Sequence, residues 1–233
     1  MIMVNTEAAT ARPYCYQYPH PAVTTDVALF TIRDEQLQLL LIERGNTPFK
    51  GSWALPGGFI DIDEDLHDCA ARELAEETGV EDLYLEQLGT FGKPGRDPRE
   101  RVISVAYLAL ASSAKLSVQA GDDAAAAEWF PLKALPPLAF DHAKIIEVAH
   151  HRLIAKLDYS TIAFQLLPET FTLGELQGVY EILVDAEIDK RNFRKWAQAL
   201  EQIETTGELR RCGNHRPARV YRLTGRGQIA FLK

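Results

Sequence analysis

The chain has 233 residues, 46% of them hydrophobic and 25% charged, with a net charge of −8. That length admits one large or two modest domains with a real core. No apolar run approaches the ~20 residues of a membrane span and the first residues lack a leader pattern, so a cytoplasmic location and no membrane partner are expected. The acidic total argues against wholesale coating of nucleic acid, yet the charge is uneven. From Ile188 onward eleven basic residues face four acidic ones, a local +7 that leaves −15 on the preceding 187 residues. Such asymmetry points to two domains with different partners. Cys15, Cys69 and Cys212 are odd in number and show no metal-ligand spacing, so buried free thiols are expected.

Residues 1–18 carry no periodicity and read as a loose arm. Thr24 to Ile32 and Gln36 to Arg44 are β-rich runs joined by Arg33-Asp34-Glu35, a hairpin pattern. Asn46 to Gly58 is a loop with Phe49 and Trp53 as its aromatics, ending in Trp53-Ala54-Leu55-Pro56-Gly57-Gly58, where the glycines let backbone approach a ligand closely. Then Asp65 can cap a helix whose apolar residues Leu66, Ala70 and Leu74 recur every four positions and which Gly79 ends. On that helix Glu73, Glu76 and Glu77 fall within a roughly 100° arc beside the buried stripe. Three carboxylates so placed repel one another without a cation, which suggests a hard, oxygen-ligated divalent metal such as Mg²⁺; the bland alternative is a solvated acidic face.

Leu83 to Phe91 and Val102 to Ala111 are further strand candidates flanking the polar loop Gly92 to Arg101, and Glu128 to Leu132 is a short one. Asp141 to Leu157 has apolar residues at helical spacing; within it His142 reads as a cap rather than a catalyst. Strands around the acidic helix with a second helix at the end form an α/β/α sandwich on a mixed sheet. Tyr159 to Glu169 reads as a short apolar connector, placing the domains at 1–158 and 159–233. In the second domain Thr172 and Glu175 make a capping box ahead of an amphipathic helix. Asp189 caps another, with Phe193, Trp196 and Leu200 inward and Lys190, Arg191, Asn192, Arg194 and Lys195 outward. Gly207 to Arg211 and Ala218 to Leu223 form a hairpin with a basic tip. Helix, helix, hairpin is a winged helix-turn-helix pattern, in which Lys190 to Lys195 would enter the major groove and Arg216 and Arg219 would hold phosphate or the minor groove. Protein docking is the competing use.

Gly58, five residues, Glu64, seven residues, then Arg72-Glu73-Leu74-x-Glu76-Glu77-x-Gly79-Val80 resembles the signature box of the Nudix hydrolases at every specified position. The resemblance implies the Nudix fold, with Glu73, Glu76, Glu77 and the Gly57 carbonyl as ligands to Mg²⁺ or Mn²⁺. It also implies that Arg72 orients the glutamates by pairing with Glu76, and that Glu64 braces the loop. The general base stays unassigned. In the loop Gly92 to Arg101, Arg96 and Arg99 are candidates to grip phosphate in bidentate fashion and Asp97 a candidate acceptor from a ribose hydroxyl, with an exposed charged loop as the alternative; Arg44 is a further candidate for substrate binding. The stretch Gly92 to Tyr107 is similar to Nudix proteins that handle ADP-ribose. Phe49 and Trp53 are candidates for base stacking, in competition with core packing. Together with the C-terminal segments FTLGELQGVYEIL, DKRNFRKW and HRPARVYRL, the whole chain resembles the Nudix-related transcriptional regulators of NAD metabolism. That family implies a dimer, a double-stranded DNA operator, and a Nudix domain that senses ADP-ribose or a related nucleoside diphosphate derivative. Because the box is intact, Mg²⁺-dependent hydrolysis is open to it. The alternatives are an ADP-ribose pyrophosphatase whose C-terminal domain serves dimerisation or docking, and a docking module on a structural Nudix domain.

Overall fold

Both faces of the first sheet are covered, which is why its strands read as near-continuous apolar runs. The structure, a computed structural model, describes residues 17–81, 83–116, 124–211, 217–224 and 229–230. The expected loose arm therefore lies almost wholly outside the described residues, as do Cys15, Cys212 and Arg216. The first domain is built from β1 (Ala22–Arg33), β2 (Gln36–Arg44), β3 (Trp53–Ala54), α1 (Leu66–Thr78), β4 (Tyr84–Phe91), β5 (Val102–Leu110), β6 (Ala124–Pro131) and α2 (His142–Lys156). The strand order is β3-β2-β1-β5-β4, with β6 also pairing to β2. β1 and β5 run parallel while the other pairs are antiparallel, so the sheet is mixed, as expected.

Alternation along the strands sorts the core into two layers. Val27 and Leu29 of β1, with Val105, Tyr107 and Ala109 of β5, pack against Ala70 and Leu74 of α1. Ala28 and Phe30, with Ala106, Leu108 and Leu110, face the other way onto Ile145, Ile146, Ala149 and Leu153 of α2. The helix α1 is closed at both ends as its sequence suggests. The Asp65 side chain accepts from the His67 N–H, and Gly79 takes the left-handed backbone at φ 70°.

The second domain comprises β7 (Thr170–Thr172), α3 (Leu173–Val184), α4 (Lys190–Gln198), β8 (Ile203–Arg210) and β9 (Ala218–Leu223). The Thr172/Glu175 capping box forms in full. β7 was not anticipated: three residues are too short to show periodicity, and pairing to β9 in the order β7-β9-β8 is what makes it a strand. Tyr180, Phe193 and Trp196 meet edge-on or tilted with centroids 5.1–5.5 Å apart, joining α3 to α4.

The segment expected as a connector is instead part of the core. Residues 162–166 form a 3-10 turn in which Ile162, Ala163, Phe164 and Leu166 are buried. They share one cluster with Phe30 and Leu153 of the first domain and Phe171, Leu176 and Tyr180 of the second. Apolar content in a short stretch reads as a linker only when nothing covers it; here both domains do. Among the described residues no helix is long and apolar enough to cross a membrane.

Candidate functional site

The loop before α1 is locked to β1. Thr25 and Val27 donate their N–H groups to the carbonyls of Gly58 and Pro56, at 2.9 and 2.8 Å. Among the described residues the Gly57 carbonyl between them takes part in no such pair. Glycine is required at position 57, where backbone stands in the way, while at position 58 the obstacle is a side chain. A Cβ on Gly57, whose φ is 151°, would lie 2.1 Å from the Thr25 carbonyl oxygen, and one on Gly58 would lie 2.3 Å from a Glu73 carboxylate oxygen.

Arg72 gathers the acidic residues of the box. Its guanidinium donates to Glu64 at 2.7 and 2.9 Å, to Glu73 at 2.8 Å and to Glu76 at 3.0 Å. The hydrogen bonds from Arg72 pull the Glu64 carboxyl down to about 2. Glu64 also accepts from the Asp61 N–H, at 3.3 Å, which closes the loop ahead of the helix. Glu77 points the other way, into the protein, and accepts from the Gly57 N–H at 2.8 Å. Burial pushes its carboxyl up to about 8, against the Gly57 N–H, with Glu73 and Asp26 adding repulsion. Burial likewise raises Glu73, which Arg72 opposes.

The expected cluster of three glutamates does not converge. Among the described residues no three His, Cys, Asp or Glu side chains are arranged to hold a metal ion. The physical reason is Arg72: it holds Glu73 and Glu76, and leaves Glu76 more than half exposed. The donor set nevertheless fits a hard cation. Glu73, Glu77 and the Gly57 carbonyl offer oxygens only, and a buried carboxylate raised to about 8 is one that a divalent cation would stabilise.

These residues line a pocket of about 380 Å³. The same pocket is also lined by cationic and aromatic residues. The Arg44 guanidinium lies 4.8 Å above the Phe140 ring, and that of Arg99 lies 5.2 Å from Phe59 and 5.9 Å from Phe140. Arg44 is steadied by donating to the Pro48 carbonyl at 2.9 Å. Phe49 does not line the pocket; it meets Phe140 edge-on at 4.8 Å and so supports a residue that does.

Two of the loop residues expected to read the substrate line the pocket within ion pairs, and one aromatic turns away. Arg96 is on the pocket lining, its side chain 4% exposed and paired with both Asp141 oxygens and with Asp26. Asp97 also lines the pocket, where it is buried and accepts two hydrogen bonds from the Arg99 side chain, at 3.1 and 2.7 Å, and one from the Arg99 N–H. Trp53 packs into the main core against Phe130, at 4.7 Å, rather than facing the pocket.

Asp26 and Phe140, which the sequence did not single out, also line the pocket, as does His142, which the sequence suggests as a cap but which is the first residue of α2. Asp26 is buried in mid-strand, where it accepts from Ser104 and Arg96 and lies 3.4 Å from His142. His142, fully enclosed, accepts the Leu55 N–H on Nδ1 at 2.8 Å, and burial lowers its proton affinity. Phe140 holds a left-handed backbone, φ 53°, that a phenylalanine adopts at a cost of about 1–2 kcal/mol. An aspartate inside an apolar strand and the run Phe140-Asp141-His142 were the available signals.

In the second domain α4 presents Lys190, Arg191, Arg194 and Lys195 along a shallow groove of about 450 Å³. Among the described residues no carboxylate pairs with any of them. Asn192 is exposed on the same helix, its N–H capped by Asp189 at 2.8 Å, and Arg219 is exposed on β9. Other basic residues are internally matched: Arg210 binds Glu175 at 3.2 Å and Thr170, and Arg222 binds Glu204 at 2.7 Å.

Comparison with known proteins agrees with this architecture. Residues 23–149 match the NUDIX domain family and residues 163–223 match the NrtR DNA-binding winged helix domain. The chain is 41% identical over 209 residues to the ADPR responsive transcriptional repressor NtrR of Acinetobacter baylyi, covering 88% of this chain and 83% of that one. It is 45% identical over 130 residues to the ADP-ribose pyrophosphatase of Methanocaldococcus jannaschii, covering 56% of this chain and 73% of that one. The structure of Shewanella oneidensis NrtR complexed with a 27mer DNA superposes with a TM-score of 0.75 at 42% identity, covering 86% of this chain and 93% of that one. The chain belongs to the Nudix family, in the group that joins a NUDIX domain to an NrtR DNA-binding winged helix.

Proposed function

We propose that this chain is a transcriptional regulator that binds a DNA operator through its winged helix and responds to ADP-ribose bound in its Nudix pocket. The observation that carries the reading is that one buried core joins a pocket of about 380 Å³, lined by both carboxylates and guanidinium groups, to a helix bearing a cluster of four cations. The A. baylyi repressor, described as ADPR responsive, and the S. oneidensis complex with DNA support it.

Arg44 and Arg99 would meet the diphosphate, and Phe59 and Phe140 offer rings on which a base or ribose can rest. Glu73, Glu77 and the Gly57 carbonyl, with Glu76 once Arg72 yields it, would hold Mg²⁺ or Mn²⁺. Such an ion, when bound, neutralises diphosphate charge and acidifies a water. On DNA, Lys190, Arg191, Arg194 and Lys195 would supply phosphate or guanine contacts and Asn192 an adenine contact, with Arg219 and Arg216 adding phosphate or minor-groove contacts. A homodimer, one winged helix per half-site, is the natural form for an operator-binding regulator. We place the domain boundary near residue 158, with the buried 3-10 turn belonging to the second domain.

A second reading, an ADP-ribose pyrophosphatase, is favoured by the intact box and by the M. jannaschii relative. Two measurements separate them. In gel shifts across a salt series, the regulator binds its own upstream DNA specifically and less tightly as salt rises, and ADP-ribose changes that affinity. In the same preparation, rapid Mg²⁺-dependent AMP release with no specific DNA binding would establish the enzyme reading in its place.

A further inference from the structure

We propose that His142 is the positioning residue through which the nucleotide pocket and the DNA-binding helix sense one another, with α2 as the lever between them. The inference rests on the regulatory reading above.

His142 is the first residue of α2, and both ring nitrogens are turned toward the pocket. Nδ1 accepts from the Leu55 N–H, so the proton sits on Nε2, which faces Asp26 at 3.4 Å. Leu55 stands two residues before Gly57, whose N–H holds Glu77. Displacement of the glycine loop by a bound nucleotide is therefore felt directly at the start of α2. Two more contacts fasten that start: Asp141 takes the Arg96 guanidinium at 2.7 Å, and the Ala139 N–H donates to the Trp53 carbonyl at 2.8 Å.

The far end of α2 contributes to the core that the two domains share. Leu153 and Leu157 share the core with Phe164, Phe171, Leu176 and Tyr180, and Tyr180 packs on Phe193 and Trp196 of α4. A helix of 15 residues spans about 22 Å, so one rigid element reaches from the pocket to the core beneath the DNA helix. At the junction of the two domains lies a cleft of about 1010 Å³, lined in part by Leu37, Leu132, Ile182 and Leu183 and by His150 of α2 itself. The ion pair at its edge, Lys133 with Asp185 at 2.6 Å, is well exposed. The cleft gives the second domain room to shift against the first, with α2 forming part of the cleft wall. Contiguity alone does not demonstrate coupling, so the test must read the coupling itself.

The readout is the ratio of DNA dissociation constants with and without saturating ADP-ribose, measured on the full chain by fluorescence anisotropy, with calorimetry confirming saturation. In the wild type we expect a change of about tenfold or more. His142→Leu, which removes the acceptor for Leu55, should reduce it to less than about threefold although ADP-ribose still binds. His142→Asn places an amide oxygen near the position of Nδ1 and should restore most of the effect. Asp141→Asn, which loosens the same helix start from outside the ring, should give an intermediate ratio. DNA binding without ligand serves as the folding control. Should His142→Leu fail that control, the His142→Asn and Asp141→Asn variants decide: full coupling in Asp141→Asn together with no coupling in His142→Asn would overturn the proposal. So would a wild-type ratio in His142→Leu, or loss of ADP-ribose binding in that variant, which would make His142 a ligand contact only. No ligand effect in the wild type would instead reject the regulatory reading, and the inference with it.

Discussion

Replacing Glu77 by glutamine should stabilise the metal-free protein at alkaline pH. The Glu77 carboxyl is buried, accepts one backbone N–H, and has its proton affinity raised from 4.5 to about 8. Unfolded, it is ionised above about pH 4.5; folded, it keeps its proton until about pH 8. The folded state therefore binds more protons across that window, and its stability falls as pH rises through it, levelling off above about pH 8. At about 1.4 kcal/mol per pH unit, the wild type loses about 4 kcal/mol from this one group between about pH 5 and about pH 9. Glutamine carries no charge, and its amide oxygen can still accept from the Gly57 N–H. The variant should match the wild type near pH 5 and exceed it near pH 9, by on the order of 10 °C in melting temperature for a chain of this size. The assay is thermal unfolding in chelator at a series of pH values, taking the difference between the two proteins so that other groups cancel. Parallel pH profiles would refute the reasoning, because they would mean that Glu77 is no harder to ionise in the fold than in the open chain. Added Mg²⁺ should narrow the gap by favouring the carboxylate of the wild type alone.

Gly57→Ala should destabilise the fold by about 3 kcal/mol or more, since its Cβ would meet the Thr25 carbonyl at 2.1 Å. Gly95→Ala, at φ 77° with nothing within 4 Å, should lose only about 1–2 kcal/mol, and denaturant unfolding of both tests whether crowding or backbone sign decides. Replacing Lys190, Arg191, Arg194 and Lys195 by alanine should leave the melting temperature nearly unchanged and flatten the dependence of log DNA affinity on log salt by about three to four. An unchanged slope in anisotropy titrations would move the DNA contact away from α4.

What was legible in the sequence was what short-range chemistry determines. Asp65 with Gly79 and Thr172 with Glu175 are local caps, and each forms where its spacing indicates. The alternate burial of Val27 against Ala28 follows from strand geometry once two covering helices are expected. What was not legible depends on partners distant in the chain. Arg96 looks like a free phosphate reader until β1 and α2 bring Asp26 and Asp141 to it. Trp53 looks like a stacking platform until Phe130 arrives from β6. The glutamates share one rim of α1 as their spacing requires, but which of them face the pocket is decided by Arg72 and by the Gly57 N–H. A helical wheel gives direction from the axis and says nothing of the competing donors around it.

The intact box does not by itself separate sensor from enzyme, because the same binding energy serves either end. A ligand shifts the DNA-binding equilibrium only by the difference in its affinity for the two states, and that difference persists only while the ligand is whole. Cleavage of the diphosphate of ADP-ribose would leave two monophosphates, neither of which carries the intact linkage. Rapid hydrolysis would therefore erase the signal before α2 could transmit it, whereas hydrolysis slower than ligand dissociation would leave the response intact. Arg72 bears on this balance. In this structure it holds Glu73 and Glu76, so if the box hydrolyses ADP-ribose, those carboxylates must first be released to a metal ion. An Arg72→Lys substitution, which keeps the charge but cannot bridge Glu64, Glu73 and Glu76 together, would change the rate of AMP release more than it changes the ADP-ribose response of DNA binding. Equal changes in both would mean that binding and cleavage are not separated in this pocket.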